Sequence, residues 1–558
     1  MPAKKRSNKA HKEKVPSSEE LQDVDLNTTE EVQSSSTSVS SKAAGKGKTA
    51  TSAPHKRSKA AGQNEDAEHV SSEISDARHQ KAHPDTLNAV EVTEDVKITE
   101  KKDEIIVEVK KKQVASSLAS NRHRLPVELR NIPRFYQAAM YRPYSVLDSP
   151  EWTNSKFFGF YVLFWVAISV SMLRILLLNV FKNGYPLGRN VIATLQRDWW
   201  HVGLADLVMY IAMYPTFFMQ YAVSKKWVNW KRYGWILQHL YQSAYLVTFV
   251  LYARARSFTW IAQIFLTLHC LVQIMKMHSF AVFNGYMFYL KEALENPKIV
   301  EKLDKQDLEQ YTEQLGKYPK NLTLHNFFMY TMYPTCVYEL EYPRTEKIRW
   351  GFVFRQVVAT LGIFMCMTII AEQSMHPIAV QASELREHGS LLTRIKGYPL
   401  IFMEVYAPFM LLYILTFYII WHSIMNGIAE LSRYGDREFY RDWWNSTEWA
   451  KFARDWNVPV HNFLQRHVYT SSRLQLQLSK GSAMFFTFLL SSVVHELAMW
   501  VIFGRLRGFL FGLQLMQLPM QLLSNLKFFK SRPTLGLVTF WFGIALGPSI
   551  LCSLYLTF

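Results

Sequence analysis

Apolar segments of roughly twenty residues recur beyond residue 134, and polar stretches separate them. A helix needs about twenty residues to cross a hydrocarbon core of roughly 30 Å. Only helices or closed barrels satisfy the backbone in lipid, and these segments are too long and too continuously apolar for barrel strands. We therefore predict an all-α, polytopic membrane protein with about nine transmembrane helices. The predicted spans are 157–181, 204–223, 233–252, 259–280, 351–371, 399–422, 481–503, 508–524 (interrupted by Pro519) and 535–557.

The N-terminal part of the chain has a different composition. The first aromatic residue is Phe135, and the first 120 residues hold 20 Lys or Arg and 20 Asp or Glu. Such a segment cannot bury enough apolar surface to offset the entropy lost on ordering. We therefore predict that residues 1–130 form a disordered polar cytosolic tail and that residues 131–558 form the multi-span membrane domain.

The charge distribution agrees with a membrane protein. The net charge of +17 belongs to residues 121–558 and surrounds the ends of the predicted spans. A cytosolic N-terminus places most of the basic loops in the cytosol, as the positive-inside rule expects. No nucleic-acid-binding motif accompanies these cations, so we do not predict a nucleic-acid partner. The four cysteines form no CxxC pair, and neither a metal site nor a disulfide framework is predicted.

Two ionisable side chains, His495 and Glu496, interrupt the apolar run Ala483–Phe503. A charged group at the centre of a span costs roughly 2–3 kcal/mol on insertion scales, so such groups are functional candidates by default. Histidine is also well suited to accept a proton near neutral pH. The alternative is a structural histidine that packs between helices and bonds to a neighbouring carbonyl. This run alone leaves both interpretations open.

The stretch before this span, Gly435–Ser472, combines four tryptophans with several basic residues. The spacing of Trp449, Phe452 and Trp456 predicts a short amphipathic helix at the membrane interface. One interpretation is an aromatic belt with a solvated basic face. The other is a cytosol-facing site for a large anionic amphiphile, in which basic groups meet phosphates and aromatic rings guide an acyl chain.

The motifs of this region resemble a known enzyme family. FYRDWWN at Phe439–Asn445 is similar to the FYxDWWN signature of sterol O-acyltransferases and diacylglycerol acyltransferases, which belong to the membrane-bound O-acyltransferase (MBOAT) superfamily. The resemblance covers roughly residues 270–558 and includes MKMHSF, YPTCVYELEYPRTEKIRW, WNVPVHNFLQRHVY and SSVVHELAMWVIF. HELAMW and the terminal GPSILCSLYLTF resemble the fungal sterol branch more than the diacylglycerol branch.

The resemblance implies roles for particular residues. His495 matches the catalytic general base, and Asn445 matches a polar residue that orients the thioester or stabilises an oxyanion, which is worth ~3 kcal/mol. Ser491 lies one turn before His495 and would bond to it or to substrate, unless its hydroxyl bonds back to its own helix. Glu496 points about 100° away and is expected to be a supporting or structural residue. The residues implied to line the acyl-CoA path are Phe439, Tyr440, Arg441, Asp442, Trp443, Trp444 and Ser491.

The same resemblance implies an MBOAT-type bundle around a central chamber, where cytosolic acyl-CoA meets an acceptor from the bilayer. The implied reaction transfers a long-chain acyl group to the 3-hydroxyl of a membrane sterol such as ergosterol, which forms steryl esters for lipid droplets. No cofactor is expected, because acyl-CoA is a substrate. The implied setting is the endoplasmic reticulum membrane, as a homodimer or higher homo-oligomer. The alternatives are a diacylglycerol O-acyltransferase and a lipid transporter or binding protein that uses His495 as a proton relay.

Overall fold

The computed structural model describes residues 142–558, together with the backbone of two strands nearer the N-terminus. The strands are β1 (Asp95–Lys101) and β2 (Glu104–Lys110), which pair antiparallel with Asp95 opposite Lys110. They precede the membrane domain along the chain, and the sequence analysis did not predict them. The rest of the tail predicted over residues 1–130 lies outside the described residues, so its disorder stays a prediction.

The membrane domain is built from helices, joined in several places by short 3₁₀ or π segments. The helices are α1 (Pro150–Thr153), α2 (Phe158–Asn183), α3 (Arg189–Gln196), α4 (Trp199–Ile211), α5 (Tyr214–Ser224), α6 (Trp235–Ala255), α7 (Trp260–Leu294), α8 (Pro297–Val300), α9 (Lys305–Leu315), α10 (Leu324–Met332), α11 (Trp350–Ile370), α12 (His376–His388), α13 (Leu391–Phe417), α14 (Met425–Leu431), α15 (Trp449–Asp455), α16 (Val458–Phe463), α17 (Ser471–Leu474), α18 (Lys480–Phe503), α19 (Phe509–Leu515), α20 (Gln517–Ser524), α21 (Lys527–Lys530) and α22 (Pro533–Thr557).

The all-α polytopic class is confirmed. Among the described residues, seven helical stretches are long and apolar enough to cross a membrane, rather than the nine predicted. They are Phe158–Asn183, Trp199–Ser224, Trp260–Leu294, Trp350–His388, Leu391–Leu431, Lys480–Phe503 and Pro533–Thr557.

The two other predicted spans differ for separate physical reasons. The span predicted at 233–252 forms α6, whose glutamines, tyrosines, histidine and single arginine make it less apolar than its neighbours. The span predicted at 508–524 is broken at Met516 into α19 and α20. Pro519 lies in the first turn of α20, where the missing amide hydrogen is tolerated. The chain therefore restarts a helix here instead of continuing one.

Both of these segments nevertheless run between the two ends of the helical bundle. Arg254, at the end of α6, donates to the carbonyls of Trp500 and Val501 near the end of α18, at 3.1 Å each. Beyond α18, the Arg507 guanidinium donates to the carbonyl of Tyr555 near the end of α22, at 2.7 Å. The pair α19 and α20 therefore begins beside the end of α22 and leads back to its start.

The longest helix, α7, forms the centre of the larger hydrophobic core. Its Met277 and Phe280 are fully buried and face Phe217 of α5 and Phe327 of α10. The rings of Phe280 and Phe327 lie 4.8 Å apart, centre to centre, in an edge-to-face arrangement that aromatic pairs prefer. This packing fixes α7 as the scaffold against which α18 and the loops around the candidate site are placed.

A buried carboxylate holds α18 in position. Glu496 is only 5% exposed and accepts hydrogen bonds from the backbone N–H groups of Gly508 (2.6 Å) and Phe511 (3.0 Å). The Tyr555 hydroxyl donates to the same carboxylate at 3.2 Å. A negative charge is stabilised beside the free N–H groups at a helix start, here that of α19. One side chain thus joins α18 to both α19 and α22.

We predict that Glu496→Gln lowers the free energy of unfolding by about 2 kcal/mol, since hydrogen bonds to a buried charged group contribute roughly 1.5–3 kcal/mol. Thermal unfolding of the purified protein in detergent would measure the loss. Glu313→Gln, at an exposed position of α9, is the control and should leave the transition unchanged. An unchanged transition for Glu496→Gln would contradict the structural role of this carboxylate.

Candidate active site

His495 lies two-thirds of the way along α18 and is exposed, whereas Ser492 and Glu496 beside it are buried. Ser479 caps the start of the helix by accepting a hydrogen bond from the Ser482 N–H, at 3.1 Å. Gly504 ends it in a left-handed conformation, with φ +69°, that glycine adopts without steric cost. The helix therefore presents the imidazole away from the contacts that hold it in the bundle.

The hydrogen bond of the imidazole defines its chemistry. The Nδ1 atom of His495 lies 2.7 Å from the carbonyl oxygen of Ser491. A carbonyl only accepts, so Nδ1 carries the proton, and in the neutral imidazole Nε2 is then the unprotonated, accepting nitrogen. The Ser491 hydroxyl is also within 3.4 Å of Nδ1. The structure thus brings Ser491 and His495 together, as their spacing predicts, and the backbone carbonyl provides the closer contact.

Glu496 does not contact the imidazole within the described hydrogen bonds. Its carboxylate is directed to α19 and Tyr555, on a different side of α18 from His495. Of the two expected roles, supporting or structural, these contacts describe the structural one.

The FYRDWWN segment is anchored by a buried arginine just before it. Arg437 is 1% exposed and pairs with the fully buried Glu430 at 2.9 Å, and it also donates to the carbonyl of Asn426 at 3.0 Å. Glu430 receives a second guanidinium, from Arg349, at 2.8 Å. A buried carboxylate needs such compensation, because removing one partner leaves an uncompensated charge. These pairs fix the position at which the loop leaves α14.

Three aromatic side chains of the motif are packed inside the protein. Phe439, Tyr440 and Trp443 are at most 2% exposed. The ring of Phe417 lies 5.1 Å from those of Tyr440 and Trp443, and Trp456 lies 4.6 Å from Trp443, centre to centre. The predicted helix around Trp449 and Trp456 is present as α15. Because these side chains contact the chain itself, their place on an acyl-CoA path stays a prediction.

The charged residues of the motif form ion pairs with its own neighbourhood. Arg441 pairs with Glu438 at 2.9 Å and with Asp455 at 3.5 Å. Pairing with Glu438 raises the pKa of the Arg441 guanidinium above its ordinary value. Asp442 pairs with Lys451 at 3.1 Å. The loop is therefore held both by ion pairs and by edge-to-face contacts between aromatic rings.

Asn445 is the most accessible residue of the motif, and Trp444 beside it is half-buried, as Arg441 and Asp442 are. Asn445 ends the 3₁₀ turn Trp443–Asn445, and its side chain is exposed. The Trp444 carbonyl accepts a hydrogen bond from the Trp541 indole of α22, at 3.0 Å. In the part of the chain that the structure describes, no hydrogen bond joins this turn to His495. Asn445 and His495, the two predicted functional residues, thus lie on separate elements and do not share a hydrogen bond.

A polar cluster that the sequence analysis missed links three of the resembling segments. The Ser279 hydroxyl of MKMHSF lies 2.7 Å from His467 Nε2 and accepts a hydrogen bond from the Tyr338 N–H at 2.8 Å. Burial, with neighbouring His278 and Arg466, holds the pKa of His467 well below its ordinary value. His467 therefore stays neutral. Only the recurrence of polar residues inside the motifs hinted at this cluster.

Two further cavities lie elsewhere in the domain. One, of about 330 Å³, is lined by Asp206, His269 and Lys276 among others. The second, of about 400 Å³, lies between α2 and α11 and is mostly apolar. His495 and Asn445 line neither of them, so the central chamber around His495 stays a prediction.

Comparison with known proteins identifies the family. The model of the MBOAT, membrane-bound O-acyltransferase family, matches residues 199–557. Sterol O-acyltransferase 2 of Candida albicans is 39% identical over 471 residues, covering 74% of this chain and 77% of its own length. Sterol O-acyltransferase 2 of Saccharomyces cerevisiae is 39% identical over 431 residues, 73% of this chain and 67% of its own. Diacylglycerol O-acyltransferase 1 of Dictyostelium discoideum is 35% identical over 240 residues, 43% of this chain and 37% of its own. The chain belongs to the membrane-bound O-acyltransferase family.

Proposed function

We propose that this enzyme transfers a long-chain acyl group from acyl-CoA to the 3-hydroxyl of a membrane sterol, forming a steryl ester. The choice of a sterol as the acceptor rests on the similar proteins. Those named sterol O-acyltransferase match about three quarters of the chain, whereas the diacylglycerol O-acyltransferase matches less than half. The chemistry rests on one observation, the accepting Nε2 of His495. Its partner nitrogen is held by the Ser491 carbonyl.

The proposed reaction needs one base and an activated acyl donor. Nε2 of His495 takes the proton of the sterol hydroxyl as the oxygen attacks the thioester carbonyl carbon. The carbon–sulfur bond then breaks, and the imidazolium returns the proton to the departing CoA sulfur. The Ser491 carbonyl stabilises the imidazolium, because Nδ1 remains a donor throughout. The acyl group passes directly to the sterol, and no cofactor is required.

Asn445 and the aromatic loop have a separate role in this proposal. Trp541, which holds the Asn445 turn, lies early in α22, and His495 lies later in α18. An acyl-CoA that approaches from the loop would therefore meet Asn445 before its thioester reaches His495. The Asn445 amide donates to the acyl-CoA and orients it, and the FYRDWWN residues shape that approach.

The setting of the reaction is part of the same proposal. We place the enzyme in the endoplasmic reticulum membrane with its N-terminus in the cytosol. When α6 is counted as a crossing together with the five spans that precede the Asn445 loop, this loop lies on the cytosolic side, where acyl-CoA is dissolved. We also expect a homodimer or higher homo-oligomer. The basic loops between the spans support this orientation through the positive-inside rule.

We expect His495→Ala to reduce esterification by roughly 10²–10⁴-fold, the usual loss on removing a general base. Ser491→Ala is the matched variant and should stay within about threefold of wild type, since a backbone carbonyl provides the closer contact to Nδ1. Turnover of radiolabelled oleoyl-CoA into steryl ester by purified protein measures both. More than a tenth of wild-type turnover in His495→Ala would refute the assignment of the base.

Asn445 belongs to an Asn-Ser-Thr glycosylation pattern, so amide chemistry must be separated from a glycan. We expect Asn445→Asp to lose activity with no change in electrophoretic mass or glycosidase sensitivity. Thr447→Ala removes the glycosylation pattern but keeps the amide, and it should remain active. If glycosidase lowers the electrophoretic mass of the wild-type protein by removing a glycan from Asn445, the loop faces the lumen. Both the proposed orientation and the proposed role of Asn445 would then be wrong.

The acceptor is tested by competition. Given oleoyl-CoA with ergosterol and diacylglycerol in the same microsomes, the enzyme should form mainly steryl ester, with His495→Ala membranes as the blank. Triacylglycerol in excess of steryl ester would place the enzyme with the diacylglycerol branch. If no free CoA is released with either lipid, the protein is not an acyltransferase, and a transporter or binding role would be favoured.

A further inference from the structure

The loop between α5 and α6 has no part in the proposed acyl transfer. Its sequence, KKWVNWKRYG, occupies residues 225–234 and alternates cations with aromatic rings. We call these residues the basic aromatic loop. It joins the end of the Trp199–Ser224 span to a helix that runs back along the bundle, so it directly follows a segment that is long and apolar enough to cross a membrane.

The basic aromatic loop is held in one conformation by a buried tryptophan. Trp230 is 5% exposed, and its indole rests against Gly285 of α7, where an added Cβ would lie 2.2 Å from Nε1. The side-chain oxygen of Asn229 accepts a hydrogen bond from the Arg232 N–H at 3.0 Å. Lys226 adopts a positive φ of 62° and reverses the chain. The loop is therefore an ordered surface feature anchored to the central helix.

This anchoring directs the remaining charged and aromatic groups outward. The side chain of Trp227 is 75% exposed and that of Tyr233 is 50% exposed. The loop cations are exposed as well, and they are Lys225, Lys226, Lys231 and Arg232.

The positive charge of the loop is largely uncompensated. Lys226 lies 3.8 Å from Glu295, which Lys291 also approaches at 3.6 Å. Within residues 142–558, Lys225, Lys231 and Arg232 form no ion pair with an acidic side chain. Two of the cations instead lie over aromatic rings, Lys225 over Tyr221 and Arg232 over Tyr233.

We propose that the basic aromatic loop binds the phosphate-bearing headgroups of anionic phospholipids. Clustered cations beside a span attract an anionic leaflet, and exposed Trp and Tyr side chains favour the headgroup level. The guanidinium of Arg232 offers several donors to phosphate oxygens. A pre-formed loop binds without first being ordered, which lowers the entropic cost. Acyl-CoA also carries phosphates, so the experiment must distinguish the two sources.

The test uses the full-length protein in detergent with headgroup-labelled phosphatidylserine as the probe and phosphatidylcholine as the neutral comparison. We expect saturable binding of phosphatidylserine that weakens roughly fivefold for each loop cation replaced by glutamine. The test variant is K225Q/K226Q/K231Q/R232Q. The control variant, K298Q/K302Q/K305Q/K320Q, removes equal charge from exposed positions outside the loop and should bind as wild type does. Unlabelled oleoyl-CoA should not displace the probe at concentrations that saturate turnover.

Three results would overturn the proposal. Equal losses in the test and control variants would mean that net charge alone attracts the lipid. Equal affinity for phosphatidylcholine would remove the role of the headgroup charge. Displacement of the probe by oleoyl-CoA, with a raised KM for oleoyl-CoA in the test variant only, would assign the loop to substrate capture. Thermal unfolding of both variants is measured first, to confirm that each is folded before binding is compared.

Discussion

The carboxylate of Glu496 is the interaction on which the arrangement of the candidate site depends. It lies next to His495 in sequence but has a structural role, since it accepts hydrogen bonds from the first N–H groups of α19 and from the hydroxyl of Tyr555. Without it, the break between α18 and α19 would leave partly buried helix-end donors unpaired, which costs free energy. With it, α18 is fixed in rotation, and the neighbouring histidine is directed away from those contacts.

A second constraint acts at the other end of the bundle. The FYRDWWN loop is ordered by a stack of aromatic rings around Phe417 and by the buried pair of Arg437 and Glu430. The buried aromatic residues of the motif therefore build the scaffold, and the accessible residues are Asn445 and, in part, Arg441, Asp442 and Trp444. A motif of two adjacent tryptophans is useful for this purpose, because one ring can fill the core while its neighbour borders the outside.

Local spacing in the sequence predicted the features that depend on one helix. The fold class, the α18 span, the helix at Trp449 and the juxtaposition of Ser491 with His495 all follow from periodicity within a few residues. Pro519 indicated an interruption near Met516. Whether a proline kinks a helix or starts a new one depends on the surrounding residues, which the local pattern does not reveal. α6 forms a complete helix although its polar residues lower its mean hydropathy, because helix formation does not require every residue to be apolar.

Contacts between residues that are distant along the chain could not be predicted from the sequence pattern. Glu496 of α18 and Tyr555 of α22 are separated along the chain by the three helices α19, α20 and α21, and nothing in either local pattern indicates their contact. The burial of Phe439, Tyr440 and Trp443 was equally hidden, since an interfacial aromatic belt and an aromatic core have the same composition. The hairpin at Asp95–Lys110 arises from alternating β-branched and charged residues within a tail whose overall composition predicts disorder.

The central claim is that His495 acts through Nε2 because Ser491 holds Nδ1. The most direct measurement is a structure of the full-length enzyme with a sterol and a non-reactive acyl-CoA analogue bound. We expect the sterol 3-hydroxyl oxygen within about 2.6–3.2 Å of Nε2, the reach of a general base, with Nδ1 still on the Ser491 carbonyl. A hydroxyl bound out of reach of His495, or facing Nδ1, would contradict the account.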